Sequence, residues 1–149
     1  MRHLLLALAS LLVVTPAHSE PYGRWWTGWG MGVTEYGYKS DSAGSDSIYI
    51  ACSHDSTTLS FSISGKNPEP RSEVTVVIDG EELRLISNRD GAIPTDSRVA
   101  DANFRSLWGL MRSGSTMWVK LSSGESARFP LKGSAKILNA ESCETDFAR

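Results

Sequence analysis

Few side chains in this 149-residue sequence are suited to acid–base or nucleophilic chemistry. Of its three histidines, His3 and His18 lie in the first nineteen residues, so the rest of the chain has only His54, beside Asp55. One histidine cannot supply a two-histidine zinc site, and the nearest approach to the hydrolase motif G-x-S-x-G, residues 124–128, ends in arginine. We therefore predict a non-enzymatic protein without metal or cofactor; catalysis by His54 with Asp55 is the remaining enzymatic hypothesis.

Aromatic side chains are concentrated in the N-terminal third, and they are the best candidates for recognition. Tyrosine and tryptophan combine a large apolar area with a polar edge, which suits them to interfaces and to sugar-stacking faces. Two interpretations remain open, an exposed binding surface or packing of most of these rings on a sheet. The candidate binding surface consists of Tyr22, Trp25, Trp26, Tyr36 and Tyr38.

The first nineteen residues have the pattern of a signal peptide. Arg2 precedes an apolar run of about eleven residues, which is too short to cross a membrane, and Ala17-His18-Ser19 is an acceptable cleavage signal. We expect cleavage before Glu20, a single domain over residues 20–149 and a periplasmic location.

Net charge and cysteine count narrow the choice of partners and the compartment. Loss of Arg2 from a total of 15 basic and 17 acidic residues leaves a mild negative balance, which favours neither nucleic acid nor an anionic membrane as a partner. In an oxidising compartment, Cys52 and Cys143 are expected to form a disulfide, the alternative being two thiols. Closing a loop of roughly 90 residues would stabilise the fold by about 4 kcal/mol.

Alternating apolar residues predict mainly strands. Such alternation occurs around Ile48–Cys52, Leu59–Ile63 and Val74–Ile78, and Asp79-Gly80 then predicts a hairpin turn into the Leu83–Leu85 arm. A second hairpin is expected from Met117–Leu121 through residues 122–124 to Ala127–Leu131. Trp29, Met31 and Val33 alternate with glycines and threonine, which predicts a first strand with these three side chains over the core.

Two segments have helical spacing instead. Residues 101–114 predict a helix capped by Asp101 and ended by Gly114, and residues 131–143 a short helix from Ser134 with Cys143 facing inward. The whole chain therefore predicts a mainly β domain of seven to eight antiparallel strands with two short α-helices, as a sandwich or a flattened barrel.

The order of these segments resembles that of small exported proteins of Gram-negative bacteria. The resemblance is carried by IYIAC (48–52), VTVVIDG (74–80), NFRSLWGLMRSGSTMWVKL (103–121) and RFPLKGSAKILNAESC (128–143). It is similar to the type VI secretion accessory proteins of the TagO/VasI kind. The resemblance implies a periplasmic β domain with a Cys52–Cys143 bridge and carries over no catalytic residue.

These observations favour a periplasmic binding or accessory protein that acts on a protein or an envelope component, an association with secretion being one interpretation. The alternative is an inhibitor or immunity protein that blocks an exported hydrolase with a rigid loop, for which residues 39–47 and 53–57 are the candidates.

Overall fold

The computed structural model describes residues 21–149, so the predicted signal peptide lies outside the described residues. The described chain forms two four-stranded antiparallel sheets that are not closed into a barrel, which confirms the sandwich. The first sheet contains β1 (Trp25–Gly30), β2 (Val33–Lys39), β3 (Ser47–Cys52) and β4 (Thr57–Ser62). The second contains β5 (Glu73–Ile78), β6 (Glu81–Ile86), β7 (Thr116–Leu121) and β8 (Ser126–Pro130), with helix α1 (Arg98–Ser113) between β6 and β7 and the short helix α2 (Ser134–Ile137) after β8.

The first sheet is a simple meander in the order β1-β2-β3-β4. Its beginning differs from the prediction, because residues 29–34 do not form one strand. The chain reverses at Met31-Gly32, both of which have positive φ (52° and 81°), and Gly30 pairs with Val33 across this two-residue turn. Alternation of bulky and small residues continues through the turn, so the sequence pattern does not indicate where the strand ends.

The second sheet has the order β6-β5-β7-β8 and contains both predicted hairpins. Asp79 and Gly80 adopt positive φ (48° and 96°), as a two-residue hairpin turn between β5 and β6 requires. The β7–β8 hairpin closes through residues 122–125, and Gly124 also has positive φ (104°). The turn chemistry of the sequence was therefore sufficient to locate this half of the sandwich.

Helix α1 begins earlier than predicted. Its N-cap is Ser97, whose hydroxyl accepts a hydrogen bond from the Ala100 backbone N–H at 3.2 Å, and Asp101 lies in the first turn. The predicted end at Gly114 is confirmed, since the Gly114 N–H closes the helix on the Leu110 carbonyl at 2.8 Å. The predicted apolar face is buried and consists of Phe104, Leu107, Trp108 and Met111.

Helix α2 starts at Ser134 as expected but stops at Ile137, so the prediction that Cys143 lies in this helix is wrong. The carbonyl groups that would continue the helix are bonded to α1 instead. Trp108 Nε1 donates to the Asn139 carbonyl at 2.9 Å, and Arg112 Nε donates to the Leu138 carbonyl at 3.1 Å. These contacts hold the chain in a non-helical path toward Cys143.

One apolar core lies between the sheets and beneath α1. Within residues 21–149, no helix has the length and apolar composition needed to cross a membrane. The Cα atoms of Cys52 and Cys143 are 5.9 Å apart and the pair forms a disulfide, as predicted, that joins the end of β3 to the segment after α2. The core residues shared by both sheets and α1 include Ile48, Ile50, Phe61, Val74, Val76, Leu107, Met111, Val119 and Phe129.

Candidate recognition sites

Four of the five aromatic residues predicted to form a binding surface are buried. Trp25, Tyr36 and Tyr38 belong to the inner face of the first sheet and to the core. Trp25 packs on Tyr38 with ring centroids 5.8 Å apart, and its Nε1 donates to the Pro130 carbonyl at 2.9 Å, which links the edges of the two sheets. The interpretation as sheet packing is therefore the correct one for these three residues. Of the five predicted residues, Tyr22 alone is exposed.

The hydroxyl group of the buried Tyr36 is bonded within the fold. Burial raises the pKa of both Tyr36 and Tyr38, and a hydrogen bond from Asn139 Nδ2 to the Tyr36 hydroxyl at 2.9 Å partly lowers that of Tyr36. The Tyr36 ring also meets Trp108 edge to face, with centroids 5.2 Å apart. Tyr36 thus fastens the first sheet to α1 and to the segment after α2.

Trp26 is buried on the opposite, outer face of the same sheet. Its ring lies over Gly37, where an added Cβ would come within 2.7 Å of the indole and 2.8 Å of the Ile48 carbonyl oxygen. Tyr49 packs beside it, with centroids 6.4 Å apart, and donates its hydroxyl to Glu35. Glycine at position 37 is therefore required for Trp26 to pack flat on the sheet, and the prediction of a binding role for Trp26 is corrected.

Trp29 is 77% exposed, so the prediction that it covers the core is wrong. It lies on the inner face in the row Trp29, Thr34, Cys52, Thr57, one residue from each strand. The C-terminal segment covers the β3–β4 end of this row through the disulfide and a 2.8 Å hydrogen bond from the Thr57 N–H to Asp146 Oδ1. The β1 end of the row is left uncovered, which exposes the indole.

Met31, next to Trp29 in the turn, is fully exposed and has a φ of 52°. Residues other than glycine, asparagine and aspartate rarely adopt this left-handed conformation, which costs an L-residue about 1 kcal/mol. We call residues 29–32 the hairpin tip. Its sequence, WGMG, places two large apolar side chains in solvent on a two-residue turn.

A second exposed tryptophan lies on the outer face of the second sheet. Trp118 is 45% exposed and pairs with Arg128 on β8 and with Val77 on β5. These three residues, with Asp79, Gly80 and Thr116, line an open hollow of about 510 Å³. The sequence analysis used Trp118 only as part of a strand pattern. Its position between Met117 and Val119, which face the core, could have predicted that the indole faces outward.

His54 and Asp55 lie side by side on the surface, in the turn between β3 and β4. His54 Nδ1 lies 3.1 Å from Asp55 Oδ1, and both side chains are almost fully exposed. Within residues 21–149, no cluster of three or more histidine, cysteine, aspartate or glutamate side chains has the geometry of a metal site.

The two loops proposed as inhibitory wedges are folded onto themselves. In residues 53–57, the Ser53 hydroxyl accepts hydrogen bonds from the N–H groups of Asp55 and Ser56 at 3.2 and 3.0 Å. In the 39–47 loop, Asp41 accepts from the Ser45 N–H at 3.3 Å, and this backbone contact lowers the pKa of Asp41. Both loops therefore carry polar groups that are engaged locally.

The fold and these surfaces define a small, disulfide-linked β-sandwich with exposed tryptophans at the hairpin tip and on the outer face of the second sheet. A family model described as YfjT matches residues 23–138, which is most of the chain, so the chain belongs to the YfjT family. That description names no activity. Neither a curated protein nor a solved structure matches the chain.

Proposed function

We propose that this chain is an exported, non-enzymatic protein that binds a protein partner through its hairpin tip. The observation that carries the proposal is Met31, a fully exposed apolar side chain in a left-handed conformation that an asparagine or glycine would adopt more easily. Backbone strain lowers stability, and an exposed apolar side chain lowers solubility. Their combination is typical of a site retained for binding.

The chemistry of the tip suits a complementary apolar cleft on a protein. Tryptophan is enriched among residues that dominate binding energy, and methionine adapts its shape to irregular apolar surfaces. The tip has no charged side chain, so apolar contact rather than ion pairing would supply the affinity. Because the β1–β2 pairing extends to Gly30 and Val33, the tip would lose little conformational entropy on binding.

We further propose a periplasmic location and a secretion-associated role. Support for export comes from the signal-peptide pattern of residues 1–19 and from the disulfide, which is typical of oxidising compartments. The accessory role is suggested by the resemblance to type VI secretion accessory proteins, and an envelope component is the other class of partner. Recovery of a protein that begins at Glu20 from periplasmic extract would support export.

The binding proposal is tested by affinity capture from periplasmic extract with protein expressed from the full-length sequence. We expect Trp29→Ser and Met31→Asn each to reduce capture of the partner at least about tenfold, since each removes a central apolar contact. Val99→Ser is the matched control because Val99 is an exposed apolar residue, 70% accessible, on α1. Equal capture by the tip variants and the wild type would contradict the proposal.

Inhibition of an exported hydrolase is the second candidate function, and the two-residue turn with exposed apolar side chains at Trp29 and Met31 favours it. A two-residue turn can enter an active-site cleft that a broad sheet face cannot. The tip thereby replaces the 39–47 and 53–57 loops as the proposed wedge, because their polar groups are engaged locally. Stoichiometric loss of the captured enzyme's activity, absent with Met31→Asn, would favour the inhibitor over the accessory role.

A further inference from the structure

The outer face of the second sheet carries an aromatic and cationic strip that the hairpin tip does not explain. Trp118 and Lys120 alternate along β7, and Arg128 lies directly opposite Trp118 on β8. We call Trp118, Lys120 and Arg128 the β7–β8 strip. Within residues 21–149, the ion pairs are formed by basic residues outside this strip. These residues are His54, Lys66, Arg84, Arg105 and Arg149.

The acidic residue in the lining of the hollow is committed to the fold. Asp79 lines the hollow beside Trp118, but its carboxylate accepts hydrogen bonds from the backbone N–H groups of Ser115 at 2.7 Å and Thr116 at 3.2 Å. Arg128 lines the same hollow and forms no ion pair within residues 21–149. The hollow therefore offers a guanidinium group, a hydroxyl group from Thr116 and an indole ring on one flat face.

We propose that this hollow binds a carboxylate-bearing sugar, with the sugar ring on the Trp118 indole and the carboxylate on Arg128. Arginine binds carboxylates with two parallel hydrogen bonds, and an indole face on a flat sheet presents a broad apolar area with polar groups around it. At about 510 Å³ the hollow has room for one or two sugar rings.

An acidic peptide is the less suitable ligand for this geometry. Peptides that bind sheets pair with the backbone of an edge strand, whereas Trp118 lies on β7, between β5 and β8. The hollow also has a single large ring rather than a series of side-chain pockets. The site is on the other sheet from the hairpin tip, so the inference does not depend on the proposed function.

The test is a titration of the ¹⁵N-labelled protein, expressed from the full-length sequence and purified with its disulfide intact. The probes are trigalacturonate, the neutral galactose trisaccharide and hexaglutamate. Binding is followed through the indole N–H signals of the five tryptophans and through the backbone N–H signals of β7 and β8, which remain in the Trp118 variants. We expect trigalacturonate to shift the Trp118 signal selectively. Trp118→Ala and Arg128→Gln should each weaken binding at least about tenfold, and Arg128→Lys less, because lysine keeps the charge but loses the fork geometry.

Val99→Ser is the matched control, since it removes an exposed apolar side chain from another surface, α1, and should leave the affinity unchanged. Variants are compared only when their thermal midpoints agree with the wild type, and Trp118→Phe replaces Trp118→Ala if the latter unfolds. Equal binding of the neutral trisaccharide would overturn the role of Arg128. A matching shift with hexaglutamate would indicate an acidic-peptide site, and no Trp118 shift at saturating trigalacturonate would overturn the proposal.

Discussion

The β1–β2 and β5–β6 hairpins are closed by two-residue turns of the same left-handed kind, but their surroundings are opposite. Asp79-Gly80 uses residues that tolerate positive φ, and the Asp79 carboxylate holds the start of β7 through two backbone N–H groups. Met31-Gly32 places a residue that disfavours this backbone at a position where its side chain is fully exposed. The Asp79-Gly80 turn is optimised for the fold, whereas the Met31-Gly32 turn keeps backbone strain and an apolar surface that the fold does not need.

The largest expected effect comes from the disulfide, which encloses one turn and not the other. Its sequence separation of 91 residues includes Asp79-Gly80, while Met31 lies outside the covalent loop. We expect the double variant Cys52→Ser/Cys143→Ser to lose about 3–4 kcal/mol of unfolding free energy, because the unfolded chain regains the entropy of an open loop. The thermal midpoint should fall by roughly 10–15 °C, measured by circular dichroism.

Serine is nearly isosteric with cysteine, so the double variant tests the bond rather than the packing. A Cys52→Ser single variant is the control that leaves Cys143 as a thiol. An unchanged thermal midpoint in the double variant would contradict the stabilising role of the disulfide.

The next largest effect is expected at Asp79. Asp79→Ala should destabilise the fold by about 2 kcal/mol, because two backbone N–H groups lose their acceptor and alanine disfavours positive φ. The thermal midpoint should fall by roughly 6–8 °C. Asp79→Asn keeps an oxygen acceptor and the left-handed preference, so it should lose less than half as much. An unchanged thermal midpoint in Asp79→Ala would contradict the stabilising role of the carboxylate contacts.

At the tip, the sign of the stability change should be reversed. Met31→Asn should stabilise the domain by about 0.5–1 kcal/mol, since asparagine adopts the left-handed conformation readily and Met31 packs against nothing that would be lost. Urea denaturation measures the gain, and capture of the partner measures the cost. A variant that is destabilised would show that Met31 has a structural role and would remove the contrast between the turns.

The smallest effect concerns the third hairpin, β7–β8, whose turn is tied by an ion pair. Hydrogen bonds from Lys66 and Ser123 lower the pKa of Glu125 from 4.5 to about 2. Because this pKa is lower in the folded state, the stabilisation is complete above pH 4.5 and is lost as the pH falls from 4.5 to 2. The Lys66 side chain is 63% exposed, so solvent screens the pair and the change is small. Carboxyl NMR of Glu125 measures the pKa. In Glu125→Gln, the thermal midpoint should depend less on pH over that range.

The contrast between the turns also explains which of them could be predicted from the sequence. Asp79-Gly80 was predictable because aspartate and glycine are typical hairpin residues between alternating apolar runs. Met31-Gly32 was missed because methionine is not a turn residue, and Trp29, Met31 and Val33 continue the alternation of a strand. Locally encoded turns were therefore found, while a turn that departs from local preference was not.

The recognition sites depended on contacts that are distant in the chain. Local alternation places Trp25 and Trp29 on the same face of β1, but it does not show where the opposing sheet ends. The C-terminal segment covers the row at Thr57 and leaves it open at Trp29, a difference set by residues more than 80 positions away. The end of α2 was missed for a similar reason, because α1 binds the carbonyl groups that would have continued it.

The distribution of the five tryptophans also gives the molecule its own optical reporters. Trp25, Trp26 and Trp108 are buried, whereas Trp29 and Trp118 are exposed, one at each proposed surface. Indoles in water emit at longer wavelengths than indoles in an apolar interior, so the red edge of the emission reports mainly on these two. Iodide, an anionic quencher, should be enriched near Arg128 and Lys120. Relative to a neutral quencher such as acrylamide, iodide should therefore favour Trp118 over Trp29, whose tip carries no charge. Fluorescence can thus distinguish occupation of the hollow from burial of the tip without any added label.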